Sequence, residues 1–229
     1  MAGRLAIDFG TSNTRVALWD EGTGQAQPVL IPDVSHLMHY KDGGGTRIEV
    51  PGIPSLIHYT GEQVWIGKQV RDQGRLEAAT PFRWMKRYIS NRLELPRQVD
   101  GRAITFSAAG AEFLARVLDY AASTIGLGDE EVAFTIPVEA YEHYQDWLTR
   151  VCETASIRRY RLLDEASAAA LGYGVHIQAN DVYMVVDFGG GTLDVSIVRI
   201  EGEAIGGKRC RVLGKGGAEL GGTVIDQWL

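Results

Sequence analysis

Residues 185–195 read VVDFGGGTLDV, an apolar run with an acid, three glycines and a threonine set into its middle. Glycine weakens a strand interior because it packs nothing and loses the most chain entropy on folding. The glycines therefore need a reason, and that reason operates twice. Residues 5–18, LAIDFGTSNTRVAL, lay Asp8 on Asp187, Phe9 on Phe188, Gly10 on Gly189 and Val16 on Val195. One unusual turn is built early in the chain and again late.

An acid at a strand end, followed by glycines and hydroxyls, has a specific chemical use. Glycines let backbone N–H groups come close to a phosphate and form an anion-binding concavity, to which Thr and Ser hydroxyls add donors. A carboxylate cannot face phosphate directly, so it serves Mg²⁺ instead, directly or through waters. A single such turn is matched by glycine-rich hairpins that bind nothing; two copies are much harder to explain by turn formation alone. Competing phosphate motifs fail on context. GEAIGGKR at 202–209 has the G-x-x-x-x-G-K spacing, but Arg209 stands where Ser or Thr must meet Mg²⁺, and strand-like RCRVL follows. No H-R-D-x-x-x-x-N precedes Asp187, as a protein kinase would need. Nor does any G-x-G-x-x-G join a strand to a helix.

The 229 residues are 45% hydrophobic and 23% charged, enough to bury a sizeable core in one large domain or two small ones. A net charge of −6 argues against a nucleic-acid partner, and the basic cluster RVCETASIRRYR (150–161) reads as a solvated helix end and strand start. Cys152 and Cys210 lie far apart without metal-ligand spacing, as ordinary residues of a reducing compartment. There is no signal-peptide pattern and no run of about 18 apolar residues, so no membrane partner is expected and the location is expected to be cytoplasmic.

Periodicity supplies the rest. Residues 4–9 and 14–19 predict a strand pair, and 20–52, with DGGGT at 42–46, a long hairpin or loop excursion. PSLIHY and VWIG (54–59 and 64–67) predict short strands about a TGEQ turn. GKQVRDQGRLEAA and RWMKRYI read as helical or loop-like. Apolar spacing at Phe113, Leu114, Val117, Leu118, Ala121 and Ile125 predicts a helix over 107–125 closed by Gly126. EVAFTIP (131–137) is a strand stopped by proline, VEAYEHYQDWLTRVCETA an amphipathic helix, RYRLL a strand and DEASAAALGYG an alanine-rich helix. A hairpin over VYMVVDFGGGTLDVSIVRI, the strand RCRVLGK and the helix start GGTVIDQWL complete a mixed α/β pattern.

The successive motifs AIDFGTSNTRVAL, VAFTIPVEAYEHYQDWLTRVCETASI, RLLDEASAAALGYG, VVDFGGGTLDVSIV and LGGTVIDQWL resemble the actin-like ATPase superfamily, and best the nucleotide-binding domain of the Hsp70 (DnaK-type) chaperones. IPSLIHYTGEQVWIGKQVRDQ followed by TPFRWMKRYI resembles the Hsp70 stretch that ends in its catalytic lysine. The resemblance implies an α/β, actin-like ATPase (ribonuclease H-like) fold with lobe I complete and lobe II only begun. Residues 1–177 would form lobe I, with an inserted subdomain at about 28–105, and 178–229 the first strands and helix start of lobe II.

It also implies roles. Gly10, Thr11, Ser12 and Asn13 would make the first phosphate turn, and Gly189, Gly190, Gly191 and Thr192 the second. Asp8 and Asp187 would lie near Mg²⁺, Asp187 also near the attacking water, and Glu165 would join the metal's water shell. Lys86 matches the catalytic lysine; read alone, it is a surface lysine of a basic helix. Glu165 alone is an acid at a helix N-terminus. Pro137 matches a proposed nucleotide-sensing proline but serves equally as a strand terminator. Ala168, Ala169 and Ala170 suit a close lobe interface or plain helix propensity. Ala166-Ser167 and Thr223-Val224 depart from the usual Pro-Thr and Glu-Asp of the family, as in a divergent bacterial-type member.

The function implied is the N-terminal part of a chaperone ATPase domain. In the intact protein it would bind ATP/ADP with Mg²⁺ and meet a peptide client, a J-domain cochaperone and a nucleotide-exchange factor. In the family the adenine is gripped mainly by later lobe II residues, so this stretch alone is expected to hydrolyse ATP poorly or not at all. The alternatives are an actin-like filament protein of the cell-shape type and a sugar kinase of the same superfamily, for which no catalytic acid is identified.

Overall fold

Alternating apolar residues make β1 (Leu5–Phe9), whose Leu5, Ile7 and Phe9 are buried while Ala6 is exposed. The structure of the chain, a computed structural model, describes residues 5–41, 44–75, 80–126, 131–137, 141–172, 180–205, 208–218 and 220–228. β1 turns back antiparallel into β2 (Asn13–Asp20). On its other edge it pairs in parallel with β10 (Val132–Ile136), which pairs in parallel with β11 (Tyr160–Asp164). Beyond β2 lie β5 (Arg47–Pro54) and β4 (His36–Lys41), with β3 (Gln25–Pro28) on the far end of β2, so the sheet runs β11-β10-β1-β2-β5-β4. The excursion expected over 20–52 is thus mainly the β4–β5 hairpin; the first residues of its DGGGT turn, 42–43, lie outside the described residues.

Two helices complete this core. α3 (Phe106–Ile125) starts at Thr105, whose hydroxyl accepts from the Ala108 amide at 3.1 Å, and ends at Gly126 in the left-handed conformation (φ 67°). α4 (Tyr141–Thr154) brings Trp147 against Phe9, ring centroids 5.9 Å apart, and Phe9 meets Phe113 of α3 at 5.7 Å. Short elements fill the remainder: β6 (Ile57–Thr60) with β7 (Gln63–Ile66), α1 (Lys68–Asp72), α2 (Met85–Ser90), and β8 (Arg97–Val99) with β9 (Arg102–Ile104).

A second sheet, β12 (Val182–Phe188), β13 (Leu193–Ile205) and β14 (Lys208–Ala218), is antiparallel throughout. Its first hairpin repeats the register of β1–β2. Asp8 pairs with Arg15 and Phe9 with Thr14; Asp187 pairs with Asp194 and Phe188 with Leu193. The duplicated sequence is therefore a duplicated structure. Between the sheets lies α5 (Glu165–Gly172), where Ala166 and Ala170 pack with Val198 and Ile200. α6 (Gly222–Trp228) follows β14.

The two hairpins differ in cover. Leu5, Ile7 and Phe9 are at most 2% exposed, whereas their counterparts Met184, Val186 and Phe188 are 67%, 55% and 50% exposed. Of the G-x-x-x-x-G-K look-alike, residues 202–205 lie in β13 and 208–209 in β14, and among the described residues no helix starts there, as its context predicts; its residues 206–207 lie outside the described residues. So does the lobe boundary expected at 177/178, within 173–179.

Candidate functional site

The first turn is fixed from three sides. Gly10 is there for space: a Cβ on it would lie 2.3 Å from the Asn13 carbonyl oxygen. Ser55, which follows β5, donates its hydroxyl to the Gly10 carbonyl at 2.7 Å, and its amide donates to the Ser12 carbonyl at 2.9 Å. Its Oγ is also 3.0 Å from that of buried Thr14. Asp8 is held by Thr135 of β10, whose hydroxyl donates to the carboxylate at 2.6 Å.

In the second turn the Gly189 amide donates to the Thr192 carbonyl at 2.8 Å, and Thr192 Oγ1 donates to Asp194 at 2.6 Å. The glycines here are required by contact between the two turns. A Cβ on Gly190 would lie 2.1 Å from Ser12 Oγ, and one on Gly191 3.0 Å from the Thr11 methyl. Gly221, before α6, leans on the backbone of Gly190 and Gly191, where a Cβ would approach within 2.6 Å. Gly189 has ordinary room, its nearest neighbour 3.5 Å away. None of Gly10, Gly189, Gly190 and Gly191 has a positive φ. Close approach of chain to chain, not backbone freedom, selects glycine at the seam.

Lys86 reaches this seam from α2. The residue before that helix, Trp84, holds φ 60° and ψ 26°, a left-handed conformation that costs a bulky residue free energy and sets the direction of the Met85–Lys86 turn. His143 of α4 hydrogen-bonds the Ile89 carbonyl at 3.0 Å and ties α2 to the core. Lys86 donates to Glu165, the first residue of α5, whose start is capped by the Asp164 carboxylate accepting from the Ser167 amide at 2.7 Å. Both partners of the pair are largely buried, with side chains 11% and 19% exposed.

The electrostatics follow from one cation among three acids. Burial opposes the Lys86 charge, but Glu165, Asp8 and Asp187 together outweigh it and hold the ammonium above its ordinary pKa. Burial pushes Glu165 up, and Lys86 recovers only part of that shift while Asp8 and Asp187 add to it. Asp187 is also raised, by desolvation first and then by Asp194 and Asp8, against the pull of Lys86. Lys86 therefore stays protonated while the acids compete for it. Glu165, Asp187, Asp194 and Ser196 border a cavity of about 10 Å³, room for a single water.

A cleft of about 570 Å³ opens at the seam, lined by every residue expected to bind phosphate or metal or to act in catalysis except Gly191, which packs on Thr11 beside it. Ala168 and Ala169 of α5 line it too. Pro137, at the end of β10, instead borders a second cleft of about 320 Å³ on the other side of the Lys86–Glu165 pair. Among the described residues, no three His, Cys, Asp or Glu side chains converge closely enough to hold a metal ion by themselves. Asp8, Glu165 and Asp187 therefore do not make an all-protein metal cage. Hard carboxylate oxygens around an open cleft do fit Mg²⁺, which keeps several waters and takes one or two carboxylates plus ligand phosphates. Four contributors escape sequence reading: Ser55, Thr135, Arg15 and Tyr40. Each joins the site through contacts with residues remote in the chain.

The fold is of the α/β, actin-like ATPase class. The model of the MreB/Mbl protein family matches residues 90–223, more than half of the chain, and the chain belongs to that family. Curated relatives that match most or nearly all of the chain include chaperones. It is 26% identical over 220 residues to the chaperone protein DnaK of Deinococcus radiodurans, covering 87% of this chain and 32% of that protein. To the chaperone protein HscA homolog of Pseudoalteromonas atlantica it is 27% identical over 246 residues, covering 98% and 36%. The chaperone protein DnaK of Thermus thermophilus is 24% identical over 246 residues, covering 99% and 37%. The resemblance to the Hsp70 chaperones read from the motifs is borne out. The chain spans about a third of the length of these curated relatives.

Proposed function

We propose that this chain is the phosphate-gripping part of an Hsp70-like ATPase domain, which binds Mg-ATP in its cleft and, in the intact protein, hydrolyses it to drive peptide binding and release. The observation that carries the reading is the meeting of two same-register hairpins at the Lys86–Glu165 pair, with Asp8 and Asp187 beside it. The turns Gly10–Asn13 and Gly189–Thr192 would cradle the phosphates, the Gly189 amide closing the second turn on Thr192 rather than facing the ligand. Lys86, kept protonated by its acids, would stabilise charge on the γ-phosphate and orient the attacking water, with Asp187 as its second partner. Asp8, Asp187 and Glu165 would hold Mg²⁺ through its waters, and the ion would neutralise phosphate charge. ADP is then the product.

On this reading residues 1–177, with 28–105 inserted, form one lobe and 178–229 open the next. The partners are a peptide client, a J-domain cochaperone and a nucleotide-exchange factor, in the cytoplasm. Among the described residues, no helix is long and apolar enough to cross a membrane. The test is ATP consumption with and without a J-domain protein and a client peptide. Stimulation supports the chaperone reading, and turnover indifferent to both counts against it.

The family match itself favours a second reading, an actin-like filament former of the cell-shape type. Sedimentation with and without ATP separates the two. Nucleotide-dependent pelleting would overturn the chaperone assignment.

A further inference from the structure

Among the described residues, two cations line the cleft, Lys86 and Arg15, and of these Lys86 alone is matched by a carboxylate. Arg15 lies opposite Asp8 in the β1–β2 ladder, where an ion pair would be expected across the strands. None forms: Asp8 takes its hydrogen bond from Thr135, and among the described residues Arg15 pairs with no carboxylate. The guanidinium instead donates Nη2 to the Tyr40 hydroxyl at 2.9 Å and lies 5.8 Å from the centre of that ring. Tyr40 stands on β4, in the hairpin whose other strand leads to Ser55, and lines the same cleft. Its own hydroxyl proton has an acceptor in Met38 Sδ at 3.5 Å, which leaves a lone pair directed at Arg15. Among the described residues, Arg15 spends one of its five guanidinium N–H donors in this way, and the other four are directed at no carboxylate.

We propose that Arg15, positioned by Tyr40 of the β4–β5 hairpin, is a second cationic reader of the phosphate chain, giving the cleft its preference for ligands with two or more phosphates. The inference rests on the reading of the cleft as a Mg-ATP phosphate site and adds a residue to it. The chemistry is a planar fork matched to phosphate oxygens, held in place by a neutral acceptor that costs it no charge. Tyr40 is a positioning residue: it acts through Arg15 and touches no phosphate.

The experiment is calorimetric titration of the 229-residue chain with Mg-ATP, Mg-ADP and AMP at two salt concentrations. Arg15→Met should weaken ATP and ADP binding about tenfold or more, the scale of a charge-assisted hydrogen bond, and lower the salt dependence. Arg15→Lys should restore part of the loss, because the charge returns without the fork. Tyr40→Phe should weaken binding a few-fold in the parent chain and not at all in the Arg15→Met background, a non-additivity that a purely structural role would not produce. The inference is overturned, with the phosphate cleft left standing, if Arg15→Met binds ATP within about twofold of the parent while Asp187→Ala abolishes binding. If the parent binds neither ATP nor ADP, the phosphate reading fails first and takes this inference with it.

Discussion

Lys86→Met strands three acids around the position of one ammonium. Breaking a buried ion pair by removing one partner costs about 3–5 kcal/mol, because the remaining charge is left unpaired. Here the cost is capped. Glu165 is 19% exposed on its side chain and already holds a raised pKa, and loss of Lys86 raises it further, so proton uptake relieves part of the unpaired charge. The loss at pH 7 should be about 2–3 kcal/mol, a fall in melting temperature of about 4–12 °C for a chain of this size. A raised carboxyl pKa means stability that is present at low pH and lost as pH rises through the folded value. The penalty of Lys86→Met must therefore shrink toward pH 5, to below about 1 kcal/mol. Adding Glu165→Gln should recover most of the loss at pH 7. Differential scanning calorimetry of the parent, both single variants and the double variant at the two pH values reads this out. Lys86→Met melting within about 1 °C of the parent at pH 7, or showing a loss equal at both pH values, would refute the reasoning.

The two turn glycines should part company. Gly10→Ala drives a Cβ to 2.3 Å from a backbone oxygen and should cost about 2 kcal/mol or more, whereas Gly189→Ala has 3.5 Å of room and should stay within about 0.5 kcal/mol. Equal urea midpoints for the two variants would contradict the contact argument. Ser55→Ala loses the bonds to Gly10 and Thr14 and should cost about 1–2 kcal/mol in the same assay. Glu165 and Asp187 are both raised, so the folded state holds their protons more tightly than the unfolded chain. Their contribution is complete below ordinary carboxyl pKa values and fades as pH rises through the raised ones. Glu165→Gln should therefore gain on the parent between pH 4.5, the ordinary value, and neutrality; a constant difference in urea midpoint would argue against it. Val186→Lys on the bare face of β12 should change stability by no more than about 0.5 kcal/mol while lowering the fluorescence of an apolar dye bound to the chain.

What was legible in the sequence was whatever local pattern decides. The repeated acid-aromatic-glycine turn located both hairpins, and the spacing from Phe113 to Ile125 located α3. β3 escaped because QAQP has no apolar alternation; all four residues are exposed, and the strand exists only through its pairing with β2. β8 and β9 are three residues each, too short to show a period, although Asp100 and Gly101, with φ of 49° and 76°, make the primed turn that the pair favours. In the site, resemblance singled out Lys86, but nothing in a six-residue helix announces that it is buried against an acid 79 positions away. Ser55, Thr135 and Tyr40 carry no motif and enter through long-range pairing of strands. The glycines of the second turn were read as letting the backbone approach a phosphate, and in the structure Gly190 and Gly191 are approached closely by protein instead. The neighbour in the structure is the first turn, whose Ser12 and Thr11 no local window could reveal.

The central claim is that the two hairpins together hold a phosphate chain. Calorimetric titration of this chain with Mg-ATP, Mg-GTP and Mg-tripolyphosphate, beside Asp187→Ala and Lys86→Met, tests it most directly. Binding that is shared by all three ligands, competitive among them, and lost in both variants is the predicted result. No binding of any of them, or binding untouched by both substitutions, would contradict the account.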